Sequence, residues 1–274
     1  MKTTSKAMVL AAVAAAVLGI ALVSSQQLAM AGQNGQTNDE KKQKDADTVI
    51  PLKEAKLNIE HNAKDNDTGF QGAIDSEGWN RITVTGPDGK ILDFNGKGSL
   101  GSLGLTELFF ETVEPENADV PIADILKTLP AGEYNFEGSG IEVGEKTGTT
   151  IGTALLTHDI PAGPALLTPD EDAVVPVEDL LVSWKPVNKT IDDRDVKIIA
   201  YQLIIERDED PHPNMIGKIG LSMYLPADVT QITIPAEFFE PGTDYLWEVL
   251  AIEESGNQTL MSSQFSTEPD ETPE

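Results

Sequence analysis

The sequence predicts an all-β chain of two β-sandwiches in tandem, and three observations carry that prediction. The first is the stretch EPGTDYLWEVLAIE at residues 240–253, where Tyr245, Trp247, Val249 and Ala251 fall on one face at period two and a Pro-Gly turn runs directly into the tyrosine. Alternate residues of a strand share a face, so this reads as a buried strand entered through a corner where a tyrosine hydroxyl can tie back to the backbone. The second is a copy of the same signature upstream, PAGEYNFEG at residues 130–138, with Tyr134 in the equivalent place. The third is the spacing elsewhere: short runs of alternating apolar residues separated by turn signals.

The whole chain bounds the answer. Its 274 residues are enough for about two ordinary domains. Aromatic residues make up only 5%, so the cores must be largely Val, Ile and Leu. There is no cysteine, which excludes disulfides, thiolate catalysis and zinc–thiolate sites and leaves packing alone to stabilise both sandwiches. The net charge of −27 repels nucleic acid and anionic lipid headgroups, so partners of those kinds are not expected. It favours cations, basic partners or simple solubility.

Residues 1–31 read as a secretory signal peptide: Lys2 and Lys6 precede an apolar run over 7–23, and Ala29-Met30-Ala31 supplies a small-x-small cleavage pattern. Removal leaves no segment for membrane insertion and a charge of −29, since only Lys2 and Lys6 are lost among charged residues. Residues 32–47 are polar and highly charged, with too little apolar surface to order themselves, and are expected to form a disordered linker. Residues 268–274 form an acidic tail.

The first module is expected over residues 48–160. Strands are read at Leu57-Asn58-Ile59, at 70–74, and at 81–85, where Ile82 and Val84 alternate with polar residues. Gly86-Pro87-Asp88-Gly89 then turns the chain into 90–94 as a hairpin. A further strand is read at 105–113. Ile122, Ile125 and Leu126 recur at helical spacing within 121–129, predicting a short crossover helix closed by Pro130. The Tyr134 corner strand follows, and 149–156 closes the sheet. Residues 158–164, HDIPAGP, are a short joint stiffened by proline.

The second module, residues 161–267, resembles a fibronectin type III domain over nearly its whole length. Residues 161–169 look like that family's proline-punctuated first strand. Leu180, Val182 and Trp184 look like its second, with the tryptophan in the core, and Tyr201, Leu203 and Ile205 like its third. Ile232, Ile234 and Phe239 precede the Pro241-Gly242 turn and Tyr245, as the family's corner requires. The 207–214 loop departs from the family in being long and acidic, and the integrin-binding Arg-Gly-Asp tripeptide is absent. The first module is immunoglobulin-like in general form only. The expected fold is thus all-β, two tandem immunoglobulin-like sandwiches, the first with a short inserted helix and the second fibronectin type III-like.

Chemistry-bearing residues are sparse. The chain holds three histidines, His61, His158 and His212, with no Gly-x-Ser-x-Gly elbow and no His-Glu-x-x-His pattern. The densest polar cluster spans residues 60–77. Within it Asp65, Asp67 and Asp75 are candidate calcium ligands, because calcium takes six to eight oxygens and carboxylates at i and i+2 can supply some of them. The EF-hand template fails there, since Gly69 stands at the fifth loop position and no glutamate at the twelfth; a hairpin loop capped by its own Asx side chains is the simpler alternative. No other cofactor is implied. Leu246, Leu250 and Ile252 on the Tyr245 strand, with Ala200 and Ile204 on the Tyr201 strand, would form an apolar patch outside the core if those strands are neighbours. Its occupant would be the first module or another molecule. Asn66, Asn188 and Asn257 match the N-glycosylation pattern; with a leader and composition of bacterial type, these are read as chance matches.

The function expected from these residues is that of a secreted or periplasmic, non-enzymatic binding or spacer module, with a protein or a cell-surface polymer as partner. The alternatives are a calcium-dependent or polysaccharide-recognising adhesion protein, and a hydrolase with its site at the joint near His158.

Overall fold

The computed structural model describes residues 48–142 and 145–270. The expected signal peptide and polar linker lie outside the described residues, as do the last four residues of the acidic tail.

The first module contains strands β1 (Val49–Pro51), β2 (Glu54–Asn62), β3 (Asp67–Gly86), β4 (Gly89–Asn95), β5 (Leu105–Glu111), β6 (Gly132–Glu142) and β7 (Glu145–Leu156). Its organising element is β3. The stretches read from sequence as two strands, 70–74 and 81–85, are one strand of 20 residues. The polar Asp75-Ser76-Glu77-Gly78 between them looks like a turn, but the chain absorbs it as an irregularity in register between Asp75 and Trp79. Such a bulge bends a strand without ending it. The first half of β3 therefore pairs with β2 and β5 in one layer, and the second half with β4 and β6 in the other. β7 and β1 extend that second layer, β1 running parallel to β7.

Between the layers lies a core of Leu57, Ile59, Phe70, Ile74, Trp79, Ile82, Val84, Tyr134, Phe136 and Leu156. The Tyr134 hydroxyl donates to the Pro130 carbonyl at 2.8 Å, so the corner read from sequence is closed as expected. The crossover helix is present but covers only Ile122–Ile125, with Ile125 buried. A second helix, Gly98–Leu103, was not expected, because two glycines and two serines in six residues argue against one.

The second module holds β8 (Leu166–Thr168), β9 (Ala173–Val175), β10 (Leu180–Trp184), β11 (Ile198–Arg207), β12 (Gly220–Pro226), β13 (Gln231–Ile234), β14 (Asp244–Glu253) and β15 (Gln258–Thr267). Three strands, in the order β13-β10-β8, face a sheet in which β12, β11, β14 and β15 are successive neighbours. The core between them contains Val182, Trp184, Tyr201, Leu203, Ile205, Tyr245, Trp247, Val249 and Phe265. All but Phe265, which lies on β15, are the period-two residues of β10, β11 and β14, so the alternation in the sequence does mark the inward face. The Tyr245 hydroxyl accepts the Glu240 amide at 2.9 Å and closes the second corner.

The two modules share one sheet. β15 lies parallel to β2, with Gln258 opposite Glu60, Thr259 opposite His61 and Leu260 opposite Asn62. Along these residues each strand would otherwise be an open edge, and pairing satisfies backbone groups that an edge leaves unpaired. Among the described residues no helix is long and apolar enough to cross a membrane.

Candidate functional site at the module junction

The junction is built from the β14–β15 turn outward. Glu253, at the end of β14, is buried and accepts the amides of Ser255 (2.9 Å) and Asn257 (3.1 Å) as well as the Ser255 hydroxyl. This fixes the turn and delivers Asn257 into the joint. Asn257 is only 1% exposed. Its Oδ1 accepts the Ile59 amide of β2 at 2.9 Å, and its Nδ2 reaches the Thr157 hydroxyl at 2.9 Å and the carbonyls of Thr157 and Asp159 at 3.2 Å. One side chain thus ties the second module to β2 and to the connecting segment. Buried polar groups need such partners, and here every one is found. Thr259 Oγ1 donates to the Pro161 carbonyl at 2.6 Å, and an ion pair of Lys64 with Glu171 at 2.5 Å adds a bond on the surface. Asn257, whose Asn-Gln-Thr was read as a chance match, thus has a structural role in the joint.

Beside it lies a polar network. Gln258 Nε2 donates to Glu60 and, at 3.0 Å, to Gln71 Oε1, while Gln71 Nε2 donates to Glu111 Oε1 at 2.8 Å. Glu60, Glu111 and Glu114 each offer a carboxylate oxygen, all within 4.8 Å of one another. Gly69 makes room for this, since a Cβ there would stand 2.7 Å from Glu114 Cγ. Burial pushes Glu60 up to about 7, helped by the charges of Glu111 and Glu248 and opposed by the Gln258 hydrogen bond. Glu114 is pushed up to about 8, by burial first and then by Glu60, Glu111 and Asp67. Two oxygens of this region, Glu114 Oε1 and Asp67 Oδ1, are buried without a hydrogen-bond partner.

The three candidate calcium ligands are not gathered at one point. Asp65 is exposed in the β2–β3 turn, and half-buried Asp67 opens β3 with its carboxyl raised to about 6 by burial and by Asp65 and Glu116. Asp75 stands eight residues further along the same strand, roughly 26 Å at the usual rise of an extended chain. The carboxylates that do converge are Glu60, Glu111 and Glu114, two of which come from a segment 34 or more residues beyond the end of the cluster the sequence singled out. Only the pairing of β5 beside β3 could reveal them, through Glu111 opposite Gln71.

On the outer face of the second module, β11 and β14 are neighbours, with Ala200 opposite Ile252, Ile204 opposite Glu248 and Glu206 opposite Leu246. Leu250 (3% exposed) and Ile204 (7% exposed) are buried, while Ala200, Leu246 and Ile252 are half-buried. This face also carries the polar residues Gln202 and Glu248. Gln202, buried, donates to Ser222 Oγ at 2.9 Å, and Glu248 is pushed up to about 7 by burial and by Glu206. The face opens onto a cleft of about 880 Å³ whose other wall is the outer face of β2, β3 and β5.

The histidines do not assemble a catalytic group. His61 is buried with Nδ1 shared between the Asp67 carbonyl and the Thr68 hydroxyl, both at 2.9 Å, and burial lowers its pKa. His158 Nε2 donates to the Leu129 carbonyl at 2.9 Å, and His212 accepts the Asn214 amide at 3.2 Å. No serine or carboxylate is hydrogen-bonded to His158 among the described residues.

No protein-family model and no curated protein matches the chain. Among solved structures, similarity is found to the FN1–FN3 domains of chicken CNTN1, at 12% identity over 81% of this chain and 69% of that one, with a TM-score of 0.33. A two-domain fibronectin type III segment of chicken tenascin is similar at 13% identity over 79% and 99% of the two chains, with a TM-score of 0.28. The fn3 domain of the human collagen alpha-1(XX) chain is similar at 21% identity over 43% and 94%, again with a TM-score of 0.28. With overlays this loose, the strand order and the tyrosine corner themselves assign the fold: the chain is all-β, and its second sandwich is fibronectin type III-like.

Proposed function

We propose that the chain is an exported, non-enzymatic binding or spacer protein whose two sandwiches work as one stiff unit in the periplasm, at the cell surface or outside the cell. The observation that carries this reading is the junction: a hydrogen-bonded sheet runs from β2 into β15, and Asn257 pins its turn to both the first module and the connecting segment. Modules in series default to relative motion unless their interface is extensive, and here the backbone itself crosses it. The leader-like residues 1–31 support export.

Three measurements test the proposal. Fractionation of the native organism with mass spectrometry is expected to find the chain beyond the cytoplasmic membrane and lacking residues 1–31; an uncleaved cytoplasmic chain overturns export. NMR relaxation on residues 32–274 is expected to give both modules the same tumbling time; independent tumbling overturns the stiff unit. Turnover of a substrate, abolished by substitution at one site, would end the non-enzymatic reading.

A second reading, a calcium-dependent adhesion protein, is favoured by one observation: the buried oxygens of Asp67 and Glu114 that lack a donor beside Glu60 and Glu111. Calcium is then expected to raise the melting temperature, and Asp67→Ala or Glu114→Gln to remove that rise. No shift with calcium retires this reading.

A further inference from the structure

We propose that the cleft between the two modules binds an uncharged oligosaccharide. Its volume, about 880 Å³, lies in the range of small-molecule and short-oligomer sites. The register places its walls. On the first module, Lys56, Ala73 and Phe109 lie opposite one another across β2, β3 and β5; on the second, Gln202 lies opposite Tyr224 across β11 and β12.

Two kinds of group on these walls have nothing else to do. The first is aromatic. The chain's three tryptophans and the tyrosines Tyr134, Tyr201 and Tyr245 are all in the cores, whereas Tyr224 is 61% exposed in the cleft and Phe109, lining the same cleft from the other module, is 40% exposed. The second is neutral and polar. The side-chain amide of Asn58 and the Tyr224 hydroxyl have no hydrogen-bond partner among the described residues, and Gln202 is held in place through its nitrogen by Ser222, leaving its carbonyl oxygen to accept.

The charged groups of the cleft are already committed. Lys56 pairs with Glu54 at 3.0 Å, Lys197 with Glu254 at 3.1 Å, Asp195 with Lys189 at 2.7 Å and Asp159 with Arg194, while Glu253 is spent on its own turn. A charged ligand would have to displace these pairs, and a polyanion would also meet the repulsion of a chain at −27. What remains free is aromatic faces, the exposed aliphatic side chains of Leu155 and Ile199, and amide and hydroxyl groups. That set suits a ligand with an apolar C–H face and many hydroxyls but no charge, which is the chemistry of a neutral sugar chain.

The proposal rests on the reading of the chain as a binding module, and its test separates the two. Residues 32–274 are titrated by calorimetry with cellohexaose, maltohexaose and N-acetylglucosamine hexamer, using hexalysine and a sulfated hexasaccharide as charged probes. At least one neutral probe is expected to bind. Tyr224→Ala and Phe109→Ala, both exposed positions, are each expected to weaken it about tenfold with the melting temperature unchanged. Gln202→Ala is buried and serves only as a supporting variant. The proposal is overturned if no neutral probe binds at millimolar concentration, if binding survives both aromatic substitutions, or if only a charged probe binds in a Tyr224-dependent way. Failure of the sugars with both modules still tumbling as one leaves the stiff binding module standing; independent tumbling removes that module reading itself.

Discussion

Asn257 is the residue on which the junction turns, because a single buried amide serves the Ile59 N–H, the Thr157 hydroxyl and two carbonyls. Removing it leaves the Ile59 amide buried without an acceptor, and the cost of an orphaned buried group is about 1–3 kcal/mol. Asn257→Ala is therefore expected to lower unfolding free energy by about 2–3 kcal/mol in a denaturant titration and to speed hydrogen exchange at Ile59. An unchanged midpoint would mean that the amide adds nothing to the joint. The corner tyrosines are a milder case. Tyr134→Phe and Tyr245→Phe keep the packed ring and lose one hydrogen bond each, to the Pro130 carbonyl and the Glu240 amide. A loss of about 1 kcal/mol apiece is expected, and a loss near zero for either would show that its ring alone makes the corner. Both tyrosines were legible in the sequence, since a corner is a local pattern of turn, tyrosine and alternating strand. Asn257 was not: Asn-Gln-Thr has no local mark of its partners, which come from positions about 100 and 198 residues away.

At the scale of elements, β2, β3 and β5 gather Glu60, Glu111 and Glu114, and this sets the pH dependence of the fold. The ordinary carboxyl value is 4.5, and Glu60 stands at about 7 in the folded chain. The folded state therefore holds a proton that the unfolded state has released. Stability from this group is fully present below about 4.5 and is lost as pH rises through about 7. Glu114 acts in the same sense up to about 8. The chain is expected to be more stable at pH 5 than at pH 8, measured by urea unfolding at each pH. Glu60→Gln keeps an acceptor for Gln258 and removes the charge, so it should be near neutral at pH 5 and stabilising by roughly 1–3 kcal/mol at pH 8. A Glu60→Gln profile that runs parallel to the parent's would assign the slope to other groups. The strands that make this cluster were partly visible beforehand: the runs at 70–74, 81–85 and 105–113 were read as strand-forming. Their joining into one bent β3 was not, because Asp75-Ser76-Glu77-Gly78 has the composition of a turn and only pairing on both sides holds it extended.

For the whole molecule, the continuity of β2 with β15 predicts cooperative behaviour. Calorimetry on residues 32–274 is expected to show one unfolding transition, and Asn257→Ala to separate it toward two, since each module keeps its own core. Two transitions in the parent chain would show that the junction contributes little. By itself the sequence determined what depends on neighbours along the chain: the all-β class, the two tyrosine corners, the inward faces of β10, β11 and β14, the hairpin at Gly86–Gly89, and an acidic, cysteine-free chemistry. It also placed Leu246, Leu250 and Ile252 on one side of their strand, because side-chain alternation is a property of the extended backbone. Tertiary structure alone decided which edges meet. Parallel pairing of β2 with β15 joins residues nearly 200 positions apart, and its energy resides in backbone groups that every sequence carries. That pairing then determined which carboxylates converge, that Asn257 is buried, and that the outer faces of the two modules look onto one cleft.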